Sequence, residues 1–190
     1  MLAYVFWHWP RPGVGAADYR SRLCAFHEAL RDSPSPGFIR SFTHAIRGAP
    51  WANDGGVAYE DWYLVESSAA LDALNDAAIS GARLRSHDEA AVRAAGGTAG
   101  LYRLRAGAAA QRPTHAHWFA KPQGMTYPEL FSAVNDTLRP GRAGLWIRQM
   151  TLGPATECCL MGDPVEPPAP CAGTGLTLQP VWPPAEHHRS

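Results

Sequence analysis

Residues 2–9 are apolar or aromatic on both alternating faces, with Tyr4, Phe6 and His8 on one and Val5, Trp7 and Trp9 on the other. Successive side chains of a strand point to opposite faces, so this strand calls for burial on both sides. The Arg11-Pro12-Gly13 turn follows. Tyr19, Leu23, Phe26, His27 and Leu30 then recur at helical spacing over residues 18–30. Pro34 and Pro36 break that helix. Strands are predicted over 38–47 and 57–65, separated by a loop at 48–56. Ser67 caps a helix through residue 79. A second helical piece covers 86–95 and ends at Gly96-Gly97, and a strand over 99–105 closes the unit. The order β-α-β-β-α-β is that of a ferredoxin-like unit.

The pattern then restarts. Residues 114–120 predict a strand, 127–138 a helix, and 145–152 and 156–161 two strands joined by Gly153-Pro154. Trp118 echoes Trp7, Pro122 echoes Pro12, and Ile147-Arg148 echoes Ile39-Arg40, which suggests an internal duplication. Where a second helix is due, the chain carries Pro164, Pro167, Pro168 and Pro170. Each proline removes a donor and clashes with the preceding turn, so an extended crossover is expected there. A last strand is predicted over 176–182. The expected architecture is α+β: two ferredoxin-like βαββαβ units, the second lacking its second helix, packed sheet to sheet as an α+β barrel within one chain. The units are 1–108 and 109–184, with a tail at 185–190. The second unit covers the open sheet face that a homodimer would otherwise cover, so a monomer acting as a pseudo-dimer, or a weak homodimer, is expected.

Charge narrows the function. Seventeen basic residues balance seventeen acidic ones, and the arginines are scattered, which speaks against a nucleic-acid partner. No apolar run approaches the roughly 20 residues needed to span a bilayer, and the N-terminal strand does not read as a signal peptide. No membrane partner and a cytoplasmic location are therefore expected. Cys24, Cys158, Cys159 and Cys171 form no C-x-x-C pair and read as reduced, small apolar side chains.

The stretches Arg11-Pro12-Gly13-Val14, Asp18-Tyr19-Arg20 and Cys24-Ala25-Phe26-His27 resemble the opening of the EthD-like group of dimeric α+β barrels. That group includes muconolactone methylisomerase-type enzymes. Pro36-Gly37-Phe38, the exit Arg47-Gly48-Ala49-Pro50, and Glu60-Asp61-Trp62-Tyr63 resemble the group's second and third strands. The resemblance covers the first half of the chain. It implies a ligand cavity between the first helix and the sheet, with His27 at the family's histidine. Ser41 stands where methylisomerase-type members carry a tyrosine, and Asp61 where they carry a cysteine. The second copy reads Thr137-Leu138-Arg139 where a helix histidine would fall, so one site at most is implied.

The candidate catalytic pair is His27, which can exchange a proton near neutral pH, with Asp61 to orient it. Its structural alternative is a buried histidine bonded to the backbone. Candidate ligand-binding residues are His8, Arg40, Ser41, His44, Trp62 and Tyr63. An arginine on an aromatic-lined strand face could hold a carboxylate, or could simply lie at the rim. His115 and His117 share a strand face but show no third ligand or ordered second shell, so no metal is expected. His187 and His188 read as tail residues. Seven tryptophans fit a core or an aromatic inter-sheet pocket. The expected function is cofactor-independent proton transfer of isomerase, dehydratase or oxygenase type, with no cofactor, on an aromatic or lactone-like acid in an inter-sheet cavity. The alternative is a non-catalytic small-molecule-binding or accessory protein using the same pocket.

Overall fold

The computed structural model of the chain describes residues 1–138, 141–151, 156–164 and 166–184. The expected turn at Gly153-Pro154, Arg139, and the tail histidines His187 and His188 lie outside these described residues. The first unit contains β1 (Leu2–Pro10), α1 (Ala16–Asp32), β2 (Phe38–Ile46), β3 (Ala58–Val65), α2 (Ser68–Ala78), α3 (Gly81–Ala91) and β4 (Ala94–Gly107). The second contains β5 (His115–Phe119), α4 (Tyr127–Asn135), β6 (Ala143–Thr151), β7 (Cys158–Gly162), β8 (Gly173–Thr177) and β9 (Gln179–Trp182). One nine-stranded sheet has the order β8-β5-β7-β6-β4-β1-β3-β2-β9. The second unit's β8-β5-β7-β6 repeats the order β4-β1-β3-β2 of the first, and pairing of β4 with β6 joins them. The fold is the α+β barrel expected. Between β7 and β8 the described residues form turns and extended chain, with no helix.

Two elements differ from expectation. The strand predicted over 176–182 is two strands. β8 pairs β5 at one end of the sheet, and β9 pairs β2 at the other, with only Leu178 between them. A single bend therefore brings the two sheet edges together and nearly closes the barrel, which removes exposed edges. Gly96 and Gly97 do not end a helix; they sit inside β4, opposite Trp9 and His8. A Cβ at Gly97 would lie 2.4 Å from the Phe6 ring, and one at Gly96 2.9 Å from the Trp9 ring. Glycine here lets two large rings lie across the neighbouring strand.

The barrel interior is filled with aromatic side chains. Trp7, Trp62, Trp118, Trp146 and Tyr102 are all at most 1% exposed. Trp7 and Trp118 have ring centres 5.2 Å apart, as do Trp62 and Trp146. Trp51, from the loop between β2 and β3, packs edge-on against Trp7 and Trp118. These contacts tie the two units' facing strands into one core. Cys158 and Cys159 point to opposite faces, Cys159 into this core and Cys158 toward α4; all four cysteines are free thiols. On the outer face, α1 to α3 cover the first unit, and α4 covers the second. The N-terminus of α4 is fixed by a capping box between Thr126 and Glu129. Ser67 occupies the N-cap of α2 without a side-chain capping bond.

Candidate functional site

The site forms on the helix-covered face of the first unit's sheet. α1 turns Tyr19, Leu23, Phe26, His27 and Leu30 inward at the spacing expected. β1 contributes Tyr4, Phe6 and His8; β3 contributes Asp61 and Tyr63; α2 and α3 form the remaining wall. Together they line a cavity of about 470 Å³. Its polar lining residues include His8, Tyr19, Asp61, Tyr63, Asp72, Asn75 and His87, and among the described residues no lysine or arginine lines it.

Asp61 is the centre of this arrangement. It is 2% exposed, and its Oδ2 accepts a hydrogen bond from the Tyr63 hydroxyl at 2.9 Å. The Nε2 atoms of His8 and His27 lie 3.1 and 3.4 Å from the same oxygen. The His8 approach lies off the line of a hydrogen bond. Burial by itself would raise the Asp61 pKa, but the charges of His8 and His27 outweigh it and hold the carboxyl well below its ordinary value. Asp61 Oδ1 is buried and has no hydrogen-bond partner. A carboxylate oxygen left in that state is costly to the fold, and here it belongs to a residue on the cavity wall.

The two histidines are held differently. His8 Nδ1 lies 2.6 Å from the Tyr19 hydroxyl, giving a chain Tyr19–His8–Asp61 along the cavity floor. Burial, followed by the charge of Asp61, raises the Tyr19 pKa and keeps its hydroxyl protonated. His27 is fully buried. Its Nδ1 lies 2.7 Å from Ser41 Oγ, and its Nε2 lies 2.6 Å from Thr43 Oγ1. Its ring stacks on Tyr63 at 5.3 Å and lies 6.5 Å from Trp182 of β9. His27 thus sits behind Asp61 rather than on the cavity wall.

The structure brings His8, His27, Ser41, Asp61 and Tyr63 together. Arg40, His44 and Trp62 lie apart from them. Arg40 donates to the backbone carbonyls of Ala109, Ala110 and Gln111, so it clamps the linker between the units. His44 is buried with its Nδ1 unpartnered, and burial brings its pKa down to about 4. Trp62 faces the barrel interior and donates to Glu60. The cavity lies under the helices, whereas the inter-sheet space is occupied by tryptophans. Tyr19, Thr43, Asp72, Asn75 and His87 were not singled out from sequence. Thr43 was legible in principle, because it shares a strand face with Ser41. Tyr19 stands in the sequence as an apolar helix position and in the Asp18-Tyr19-Arg20 stretch of the resemblance, neither of which marks it as a site residue, and no local signal points to α2 and α3.

No family model matches the chain, and no curated protein matches it. Among solved structures it is similar to a "Putative monooxygenase" from Fusobacterium nucleatum, with a TM-score of 0.61 and 9% identity, covering 95% of this chain and 92% of the other. It also aligns with a "Putative Chlorite dismutase" over 95% of each chain at 12% identity and a TM-score of 0.45. A chlorite dismutase from Candidatus Nitrospira defluvii aligns over 95% of this chain and 92% of that one at 7% identity, with a TM-score of 0.42. At this identity the Fusobacterium likeness concerns the fold alone. Among the described residues, no helix is long and apolar enough to cross a membrane.

Proposed function

We propose that the chain is an enzyme of the EthD-like kind that moves a proton on a small aromatic compound, without a cofactor, in the cavity beneath α1 to α3. The observation that carries this reading is Asp61: a buried carboxylate on a cavity wall, with two imidazoles within 3.4 Å and one oxygen unused. A buried charge cluster of this sort is poor for stability and well suited to proton transfer. The Nε2 atom of His8, which has no hydrogen-bond partner, is the atom that takes the proton from the ligand, while its Nδ1–H donates to the Tyr19 hydroxyl oxygen. Asp61, beside Nε2, balances the charge the ring gains. His27 acts through Asp61, as a positioning residue. Deprotonation of the ligand is the step shared by isomerase, dehydratase and cofactor-free oxygenase chemistry. The name of the Fusobacterium neighbour adds oxygenation to the reactions worth testing. The lining, with Asp61 and Asp72 and no basic side chain longer than histidine, favours a neutral hydroxylated ring over the carboxylic acid expected from sequence.

One observation favours the binding-protein alternative. Ser41 and Thr43 satisfy both ring nitrogens of His27, as in a purely structural polar network. A thermal-shift screen of hydroxyaromatics, lactones and aromatic acids, followed by turnover assays on the hits, separates the two. In the enzyme reading, Asp61→Asn and His8→Gln each lower kcat by about 10²-fold or more while ligand affinity changes little. Turnover that is unchanged in both variants would end it, and hits that bind without turning over would support the accessory role.

A further inference from the structure

The protein groups that meet the Asp61 carboxylate crowd one of its two oxygens. Oδ2 accepts from the Tyr63 hydroxyl at 2.9 Å and has the Nε2 atoms of His8 and His27 at 3.1 and 3.4 Å. Oδ1 of the same carboxylate is buried and has no hydrogen-bond partner among the described residues. His8 Nε2 is buried and without such a partner as well. Asp61 and His8 both line the cavity under the helices. Buried polar atoms are normally paired, so two that stand open side by side mark the place where a ligand completes the hydrogen bonding.

Both open atoms are acceptors. The lowered pKa of Asp61 keeps it ionised, and an ionised carboxylate only accepts. His8 carries its proton on Nδ1, toward the Tyr19 oxygen at 2.6 Å, so Nε2 presents a lone pair. The His8 ring stacks on Phe6 at 5.2 Å and on Tyr59 at 5.8 Å, which sets the direction of that lone pair before a ligand arrives. One hydroxyl has one hydrogen and can serve only one of the two atoms. Two neighbouring acceptors therefore call for two neighbouring donors on the ligand. Around them the lining carries Phe6, Leu23, Phe26, Leu30 and Leu74, surfaces that suit the faces of an aromatic ring.

We propose, resting on His8 as the proton acceptor of the function proposed above, that the cavity selects an ortho-dihydroxyarene, a catechol-type ring with two adjacent hydroxyls. One hydroxyl donates to Asp61 Oδ1 and keeps its proton. The other gives its proton to His8 Nε2: the O–H bond breaks, an N–H bond forms, and the electron pair stays on the ring oxygen. The bound ligand is then a monoanion anchored by its remaining O–H, beside an imidazolium whose charge Asp61 balances. A lactone or a quinone brings acceptors alone and leaves both protein atoms unpaired, at the cost that any unfilled buried acceptor carries.

The test is calorimetric titration of the full chain, under exclusion of oxygen, with catechol, phenol, 2-methoxyphenol and resorcinol. Catechol should bind about tenfold or more tighter than each of the others, because phenol and 2-methoxyphenol bring one donor and the hydroxyls of resorcinol are not adjacent. 4-Nitrocatechol reports the proton. At a pH where the free dye is neutral, the bound dye should show the absorption of its monoanion, and in His8→Gln it should bind with the absorption of the neutral form. No binding of catechol, phenol or 2-methoxyphenol binding as tightly as catechol, or a bound dye that stays neutral in the wild type, overturns the proposal. These readouts are separate from turnover. A catechol preference with no turnover counts against catalysis and leaves the selectivity standing, whereas turnover of a single-hydroxyl ligand without that preference does the reverse.

Discussion

Glu60 and Asp61 are neighbours on β3, and both are essentially fully buried, yet they inhabit opposite environments. Glu60 points into the barrel, where its two oxygens each accept an indole N–H at 2.7 Å, from Trp7 and from Trp62. Asp61 points under the helices, toward His8, His27 and Tyr63. Burial pushes the Glu60 carboxyl up to about 7, and two neutral N–H donors only partly offset it. The imidazoles beside Asp61 take that carboxyl the other way. Neutral indole donors satisfy geometry without balancing charge, whereas ionisable imidazoles beside a carboxylate favour its anionic form. One face of the sheet therefore holds a carboxyl that can be neutral near physiological pH within an aromatic core. The other holds a permanent anion at a cavity.

This contrast can be broken from either side. The largest effect is expected from the core: Trp62→Ala should cost about 3–5 kcal/mol in urea unfolding, because it leaves a void and strands one Glu60 oxygen. Its neighbour Tyr63 offers no comparable loss. The next effect is a pH signature. The folded-state pKa of Glu60 lies above its usual 4.5, so the folded protein binds the extra proton, and its contribution is present at low pH and lost as pH rises. The stability of the wild type minus that of Glu60→Gln should fall by about 3 kcal/mol as pH goes from 4.5 to 7. Taking the difference matters because His44 is pushed down to about 4. It adds the opposite slope over much of the same window, and a flat wild-type curve would otherwise hide both. A difference that rises over this range would contradict the assignment.

Asp61 should show the reverse. Its lowered pKa contributes stability above the ordinary carboxylate range that disappears as pH falls through and below it. Asp61→Asn should therefore have a shallower acid-unfolding limb than the wild type, read by circular dichroism between pH 5 and about 2. Tyr63→Phe should be the mildest change, at about 0.5–1.5 kcal/mol. It removes one hydrogen bond to Asp61 and leaves the ring stacked on His27. Its clearest readout is a displaced pH profile of ligand binding, with little loss of melting temperature.

Much of the fold was legible because its determinants are local. The two-faced greasiness of β1, the 3.6-residue spacing of α1 and the prolines after β7 each act within a few residues. The α+β barrel and the absence of a second helix between β7 and β8 follow from them. The face on which His8 stands follows from alternation along β1; whether Asp61 and His27 meet does not, because they lie on different elements. What the sequence could not disclose depends on contacts across tens of residues. Residues 176–182 look like one strand, and only the closing of the sheet decides that Leu178 bends and sends β9 to the opposite edge, where Trp182 backs His27. Arg40, His44 and Trp62 alternate correctly along their strands, but which face meets helices and which meets tryptophans is set by how the two sheets fold over each other. Alternation assigns side chains to faces; the tertiary structure alone decides which face keeps a cavity, because packing depends on what arrives from elsewhere in the chain.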